Sequence, residues 1–172
     1  MLDAYKNSVA KQYEAAFCTL NRCIDRCPED SWNAPVANWK FCQVANHVLF
    51  YSDLYLGADK KTFRDQPFHR ANPQFFGDYE EFEDHVPQAL YEKTPIKSYM
   101  EHCRSKATEV IAAETADSLN SRCGFDWLPI PRAELHVCNI RHIQHHAAQL
   151  ILRLRIDVDE DFGWVKSGWG DG

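Results

Sequence analysis

The sequence has 172 residues, of which 45% are hydrophobic and 13% aromatic, and it carries a formal net charge of −6. This composition excludes a disordered or fibrous chain, and the negative charge argues against a general nucleic-acid-binding surface. We expect a single domain over residues 1–172 whose tail, residues 157–172, is irregular.

The N-terminal part of the sequence shows no features of export or membrane insertion. Charged residues interrupt the apolar residues of the first helix every few positions, so a secretory leader is not expected. No stretch reaches the roughly 18 consecutive apolar residues that a membrane span requires. These patterns predict a cytoplasmic protein that does not bind membranes.

Two long amphipathic helices are predicted in the first third of the chain. Apolar residues spaced by three and four positions run through residues 2–27, and Pro28 ends this stripe. A polar connection bounded by prolines follows. The second predicted helix covers about 38–56 and ends at Gly57.

Residues 57–94 differ from the helices on either side. They contain three prolines, and six Phe or Tyr side chains lie between positions 63 and 82. We predict a long, aromatic-rich loop with one short helix near 78–86. Loops of this length inside a compact domain are usually functional or cover another part of the protein. The loop is expected to pack over one end of the molecule, where it walls a metal cleft or a dimer contact, or simply caps the core.

Two more helices complete the predicted architecture. Thr94 and Pro95 suit the N-cap and first position of a third helix over about 95–118. A turn at 120–131 precedes the fourth helix, over about 132–155. Four long amphipathic helices without an alternating strand pattern favour an all-α four-helix bundle.

The fourth helix contains a pair of histidines spaced for metal binding. His142 and His146 are four residues apart, so they share one helix face with Cβ atoms roughly 5–6 Å apart. Such a pair alone is more often part of a solvated polar face. This pair borders the apolar stripe of its helix, however, and His47 lies in the middle of the second helix between apolar residues.

Buried imidazoles without partners are costly, so these two histidine clusters are expected to meet. Together, His47, His142 and His146 would form a three-histidine metal site with an open coordination position. Imidazole ligands suit zinc, nickel, copper and iron alike. No catalytic residue and no residue that binds an organic cofactor is assigned by the sequence.

Other candidate side chains have less support. Cys138 precedes His142 by one turn and could touch the site or pack as a core thiol. His145 is rotated by about 80° from the face of the pair, and it could contact a ligand or the substrate. The seven cysteines include no C-x-x-C motif and are expected to be free thiols, mostly in the core. The remaining histidines are expected to lie at the surface or to be hydrogen-bonded; they are His69, His85, His102 and His136.

Two sequence features resemble the DinB/YfiT-like superfamily of metalloenzymes. One is Trp39 followed by a helix with the central His47. The other is His142-Ile-Gln-His-His146 followed by a short run that contains Gln149. The resemblance spans roughly residues 1–155. Family members often have Arg-Gly after the last ligand, whereas this chain has Ala147-Ala148.

The resemblance implies a homodimeric four-helix bundle with a three-histidine metal site, most often zinc or nickel, with iron, copper or manganese as alternatives. Some relatives are S-transferases or isomerases that use low-molecular-weight thiols. We therefore expect a metal-dependent enzyme with a small-molecule substrate, for instance a small-thiol-dependent S-transferase. A metal-dependent hydrolase and a non-catalytic metal-binding or damage-response protein are the alternatives. An ion with an open position could activate a thiol or water, and the sequence does not choose between them.

Overall fold

The computed structural model describes residues 1–159 and 161–170, and four long helices dominate it. In chain order the elements are α1 (Leu2–Arg26), β1 (Pro35–Val36), β2 (Trp39–Lys40), α2 (Phe41–Leu56), α3 (Lys60–Phe63), α4 (Pro67–Ala71), α5 (Pro73–Phe76), a 3-10 turn (Glu80–Phe82), α6 (Lys93–Ala113), α7 (Ala116–Asn120) and α8 (Arg132–Val158). Both α1 and α2 pack against α6 and α8, so α1 and α2 lie at opposite corners of the bundle. The predicted all-α bundle is confirmed.

The predicted apolar stripes form the bundle core. On α1, Tyr13, Leu20 and Ile24 are almost completely buried, and on α8 the same holds for Ile143 and Leu150. Burial of such side chains contributes roughly 1.5–3 kcal/mol each. None of the helices in the described ranges is long and apolar enough to cross a membrane.

The ends of two predicted helices are shifted because local capping differs from the sequence-based prediction. α2 begins at Phe41 rather than near residue 38. Just before it, the two-residue strands β1 and β2 pair in an antiparallel hairpin. α6 begins at Lys93, which places Pro95 within its first turn. It ends at Ala113, because the side chain of Thr115 caps the separate helix α7.

The region between α2 and α6, which we call the aromatic segment (residues 57–92), is more helical than predicted. The expected short helix near 78–86 is present as the 3-10 turn Glu80–Phe82. Three short helices precede this turn. Pro67 and Pro73 each occupy the first position of a helix, where the absent amide hydrogen costs nothing. Proline therefore starts helices here, whereas the prediction took it as a sign of loop structure.

The aromatic segment packs against the side of α2 through ring contacts. Phe50 of α2 contacts the rings of Phe63 and Phe82, each with a centroid separation of 4.9 Å. Phe63 and Phe76 are buried. Edge-to-face contacts of this kind stabilise a protein beyond the apolar area that they remove from water.

A buried carboxylate, Asp53 of α2, anchors the aromatic segment. Its Oδ2 accepts hydrogen bonds from His69 Nε2 at 2.7 Å and from the Tyr99 hydroxyl at 2.9 Å, and its Oδ1 pairs with Lys106. Burial by itself would raise the pKa of Asp53. The imidazoles of His102 and His69 and the ammonium of Lys106 outweigh burial, so this pKa lies well below its usual range.

The tail after α8 is irregular over residues 161–170, as predicted, although α8 itself continues to Val158. Glu160, Asp171 and Gly172, which belong to the predicted tail, lie outside the described residues. Trp169 packs beneath the guanidinium of Arg104, 3.8 Å from its ring centroid, whereas Trp164 is 71% exposed.

All seven cysteines are free thiols, as the sequence predicted, and six of them are buried.

Candidate metal centre

Three histidine side chains meet where α2 packs against α8. His47 comes from α2, and His142 and His146 come from successive turns of α8. The Nε2 atoms of His47 and His142 are 3.3 Å apart, and one donor atom from each of the three rings lies within 4.8 Å of the others. The histidine clusters that the sequence predicted to meet therefore do so.

The donor atoms fit a divalent ion with nitrogen ligands. Two nitrogens bound tetrahedrally to one ion at roughly 2.0–2.1 Å lie about 3.3–3.4 Å apart, which matches the separation between His47 and His142. The side chains of Glu81 and Gln149 provide acceptors for the Nδ1–H groups of His47 and His146, at 2.8 and 2.9 Å. With the proton on Nδ1, the Nε2 lone pair of each ring is free to bind a metal.

The surroundings keep two of the three imidazoles neutral. Burial first, and then the neighbouring His47, His146 and His145, lower the pKa of His142 to about 3. Burial also lowers the pKa of His146 to about 4, although the hydrogen bond to Gln149 opposes this. A metal therefore need not displace a proton from either ring at neutral pH.

Two aromatic side chains flank His47. Trp39, from β2, contacts the His47 ring edge-on with centroids 4.9 Å apart, and Tyr51 contacts it at 4.8 Å. Burial, and next the charge of Glu81, raises the pKa of Tyr51 to about 12. Tyr51 thus remains protonated at neutral pH, and its hydroxyl donates a hydrogen bond to the backbone carbonyl of Glu81 at 3.0 Å.

A cavity of about 410 Å³ opens beside His47, between α2 and the aromatic segment. Its wall carries four carboxylates and one further histidine, His85, whose Nε2 lies 3.0 Å from Glu80 Oε1. The aromatic segment thus walls the candidate centre, as one of the alternatives in the sequence analysis anticipated. The cavity is lined by Trp39, His47, Tyr51, Glu80, Glu81, Glu83, Asp84, His85, Val86 and Pro87.

Two further candidates from the fourth helix lie outside the group of donor atoms. His145 accepts a hydrogen bond from Gln149 Nε2 at 3.3 Å and so lies beside the centre. Cys138 is half-buried, and its sulfur does not belong to the group of donor atoms in the described part of the chain.

The histidines with little predicted role are engaged elsewhere. His69 is buried and bonded to Asp53, and the ring of His102 stacks on Phe68 at 4.2 Å. His136 is buried on α8. Its Nε2–H donates to Glu114 Oε1 at 3.1 Å, and its Nδ1 accepts from Tyr13 at 3.2 Å. His69 and His136 agree with the expectation that such histidines are hydrogen-bonded, whereas the buried Nε2 of His102 has no hydrogen-bond partner among the described residues.

Two acidic residues that the sequence patterns did not predict, Glu81 and Asp53, contact histidines of the bundle and the aromatic segment. Glu81 lies between aromatic residues in the short helix predicted near 78–86, and no spacing rule links it to His47, 34 positions earlier. Asp53 gave a clearer signal, since an acid between Ser52 and Leu54 interrupts an otherwise apolar helix. A charge at such a position indicates a buried ionic partner.

A family model described as the DinB superfamily matches residues 12–150. The matched region contains His47, His142 and His146, and it extends from within α1 into α8. No curated protein and no solved structure matches the chain.

Proposed function

The chain belongs to the DinB superfamily, and from this premise we propose that it is a metal-dependent enzyme whose divalent ion is bound by His47, His142 and His146. The observation that carries the proposal is the convergence of three imidazole donors from α2 and α8 beside a cavity. The superfamily is known for metal binding, which supports the same assignment. Zinc and nickel are the ions that we favour, and iron, copper and manganese are the alternatives.

The residues around the centre have separable tasks in this proposal. The three histidines supply neutral nitrogen ligands, and the cavity beside His47 receives the substrate. Trp39 and Tyr51 cover two sides of the His47 ring and restrict the access of bulk water to it. When bound, the ion would lower the pKa of a thiol or a water molecule and thereby supply a nucleophile at neutral pH.

The first candidate reaction is the transfer of a small thiol to an electrophilic small molecule, as in some relatives. A second candidate, metal-dependent hydrolysis, is supported by the charge of the cavity wall. Glu80, Glu81, Glu83 and Asp84 all line the cavity, and carboxylates at close range repel anionic thiols such as glutathione. Water carries no charge and is not repelled.

An activity screen with metal-loaded protein tests the proposal. Electrophilic small molecules are incubated with glutathione, bacillithiol or mycothiol, and in parallel with water alone. Turnover that requires one thiol identifies a transferase, and turnover in water alone identifies a hydrolase. The variant His142→Ala/His146→Ala is the control and should be inactive in both arms. Inactivity of the metal-loaded protein across a broad panel would overturn the enzyme proposal in favour of a non-catalytic metal-binding protein.

A further inference from the structure

Glu81 connects the aromatic segment to the candidate metal centre. Its side chain is only 3% exposed, and its Oε2 lies 2.8 Å from His47 Nδ1. Its other oxygen, Oε1, accepts a hydrogen bond from Asn46 Nδ2 at 3.3 Å. The Tyr51 hydroxyl donates a hydrogen bond to the backbone carbonyl of Glu81. The carboxylate therefore touches the candidate ligand His47 from the side opposite the other two histidines.

We propose that Glu81 is a positioning residue of the metal centre. Its carboxylate holds the His47 ring with the proton on Nδ1, so that the Nε2 lone pair points toward His142. This inference rests on the proposed function, in which the three histidines bind a divalent ion. A carboxylate behind a metal-binding imidazole fixes its tautomer and orientation and increases its basicity.

The alternative tautomer of His47 shows why the contact matters. If Nε2 carried the proton, it could donate a hydrogen bond to His142 Nε2, 3.3 Å away, and it could not bind a metal. That tautomer would leave Nδ1 as an acceptor facing the Glu81 carboxylate, which is repulsive. Glu81 thus selects the metal-binding form of His47.

The charge of Glu81 points to the same role. Removing a carboxylate from water is costly unless an opposite charge or several hydrogen bonds compensate. Asn46 supplies an uncharged donor, and the shortest contact of the carboxylate is to His47. A divalent ion on the far side of the His47 ring would provide compensating charge through the imidazole.

The backbone before Glu81 fixes its position. Tyr79 has a positive φ of 64° directly before the 3-10 turn, a conformation that is strained for a non-glycine residue. The Tyr79 hydroxyl donates to His69 Nδ1 at 3.1 Å, and Phe82 packs on Phe50. These contacts hold the turn rigidly and direct Glu81 at α2.

The affinity for Zn²⁺, measured by competition with a chromophoric chelator, tests the proposal. Glu81→Ala should weaken binding by roughly 10–100-fold. The Zn²⁺ affinity of Glu81→Gln should lie between those of Glu81→Ala and the wild type. Its amide oxygen still accepts a hydrogen bond from His47 Nδ1–H, but it carries no charge. Glu83→Ala is the matched control, since Glu83 is an exposed acid of the same cavity wall, and its affinity should stay within about twofold of the wild type.

A second readout separates positioning from general stability. The d–d absorption of Co²⁺-loaded protein reports ligand geometry, and it should change in Glu81→Ala but not in Glu83→Ala. Circular dichroism of the metal-free variants checks folding, and Glu81→Gln decides the matter if Glu81→Ala does not fold. Wild-type affinity and spectrum in a folded Glu81 variant would overturn the proposal, as would equal weakening in Glu83→Ala.

The test also distinguishes failure of the proposed function. If the wild type binds no ion, or if a variant without the three histidines binds as tightly as the wild type, the proposed metal centre is wrong. If the wild type binds through these histidines and Glu81→Ala binds equally well, only the role of Glu81 is wrong.

Discussion

The Nε2 atoms of His47 and His142 lie 3.3 Å apart because α2 and α8 pack directly against each other. Both helices are held by the bundle core, so this separation is set by helix packing rather than by a flexible loop. The two nitrogens thus lie at a spacing that suits one tetrahedral ion, and the packing of the two helices fixes their positions.

Removal of the α8 pair should abolish metal binding. The wild type should carry about one divalent ion per chain, and His142→Ala/His146→Ala should carry almost none, because His47 alone is a weak ligand. Elemental analysis by mass spectrometry after purification measures the content. His145→Ala is the control and should keep its metal, since His145 is not one of the three donor residues. Full metal retention in the double variant would contradict the site.

Metal binding should stabilise the fold. At a free Zn²⁺ concentration about 100 times its dissociation constant, linkage predicts a gain of about 2.7 kcal/mol. For a chain of this size that corresponds to a rise in melting temperature of about 5–10 °C. Differential scanning calorimetry with Zn²⁺ and with EDTA measures the difference. The same rise in His142→Ala/His146→Ala would show that the ion binds elsewhere.

Substitution of Asp53 should lower the stability of the fold more than substitution of most other polar residues. Asp53→Ala leaves Lys106 and His69 without their buried partner, and breaking such a pair costs about 3–5 kcal/mol. Urea denaturation measures the loss, and limited proteolysis should cleave this variant within residues 63–82 under conditions in which the wild type should stay intact. Asp65→Ala, which removes the exposed ion pair with Arg70, is the control and should change little. Equal stability of the two variants would mean that Asp53 does not anchor the segment.

The metal-free protein should lose stability as the pH falls from 7 to 5, in part through His136. Burial, and next the charge of Arg132, lowers the pKa of His136 below 6.5, although Glu114 opposes this. Tyr13 of α1 also faces the ring through its hydroxyl. Below about pH 6.5 the unfolded chain therefore binds a proton at His136 that the folded chain does not bind. The free energy of unfolding falls by up to about 1.4 kcal/mol per pH unit as a result.

Urea denaturation in EDTA at several pH values tests this contribution. His136→Asn should be less stable than the wild type at pH 7, since it loses buried hydrogen bonds, but its free energy of unfolding should fall less steeply between pH 7 and 5. Parallel pH dependences for the two proteins would show that His136 titrates alike in the folded and unfolded states.

We propose that the chain forms a homodimer through an apolar patch at the end of α8. Leu152, Ile156 and Trp164 are each at least 60% exposed, and large apolar side chains are enriched at interfaces. Light scattering at micromolar concentration should give twice the chain mass of 19.9 kDa. Leu152→Ser/Trp164→Ser should be monomeric. Trp169→Ser, which disturbs packing against Arg104, should lower the melting temperature and leave the dimer intact. A monomeric wild type would contradict the proposal.

The bundle and the histidine cluster could be predicted from the sequence because both depend on helical periodicity. Apolar stripes on α1, α2 and α8 face the core, and the four-residue spacing of His142 and His146 places them on one side of α8. His47 could be added because a polar side chain amid apolar ones needs a partner.

The aromatic segment could not be predicted in the same way, because its short helices are stabilised by contacts that are distant in sequence. Pro67 and Pro73 start helices in a fold that buries the neighbouring rings, and the propensities of the isolated segment do not show this. The contact between Glu81 and His47 depends on the same tertiary packing. Only Asp53, a charged residue on an apolar helix face, indicated that a buried partner was needed.

The aromatic segment is attached to α2 by two contacts, His69 with Asp53 and Glu81 with His47. The side chains at positions 83–86 between the turn and Pro87 are exposed and line the cavity. Changes in these four residues alter the cavity wall without disturbing either attachment. The chemistry of the cavity wall can therefore change in this short loop independently of Asp53, His47 and the core.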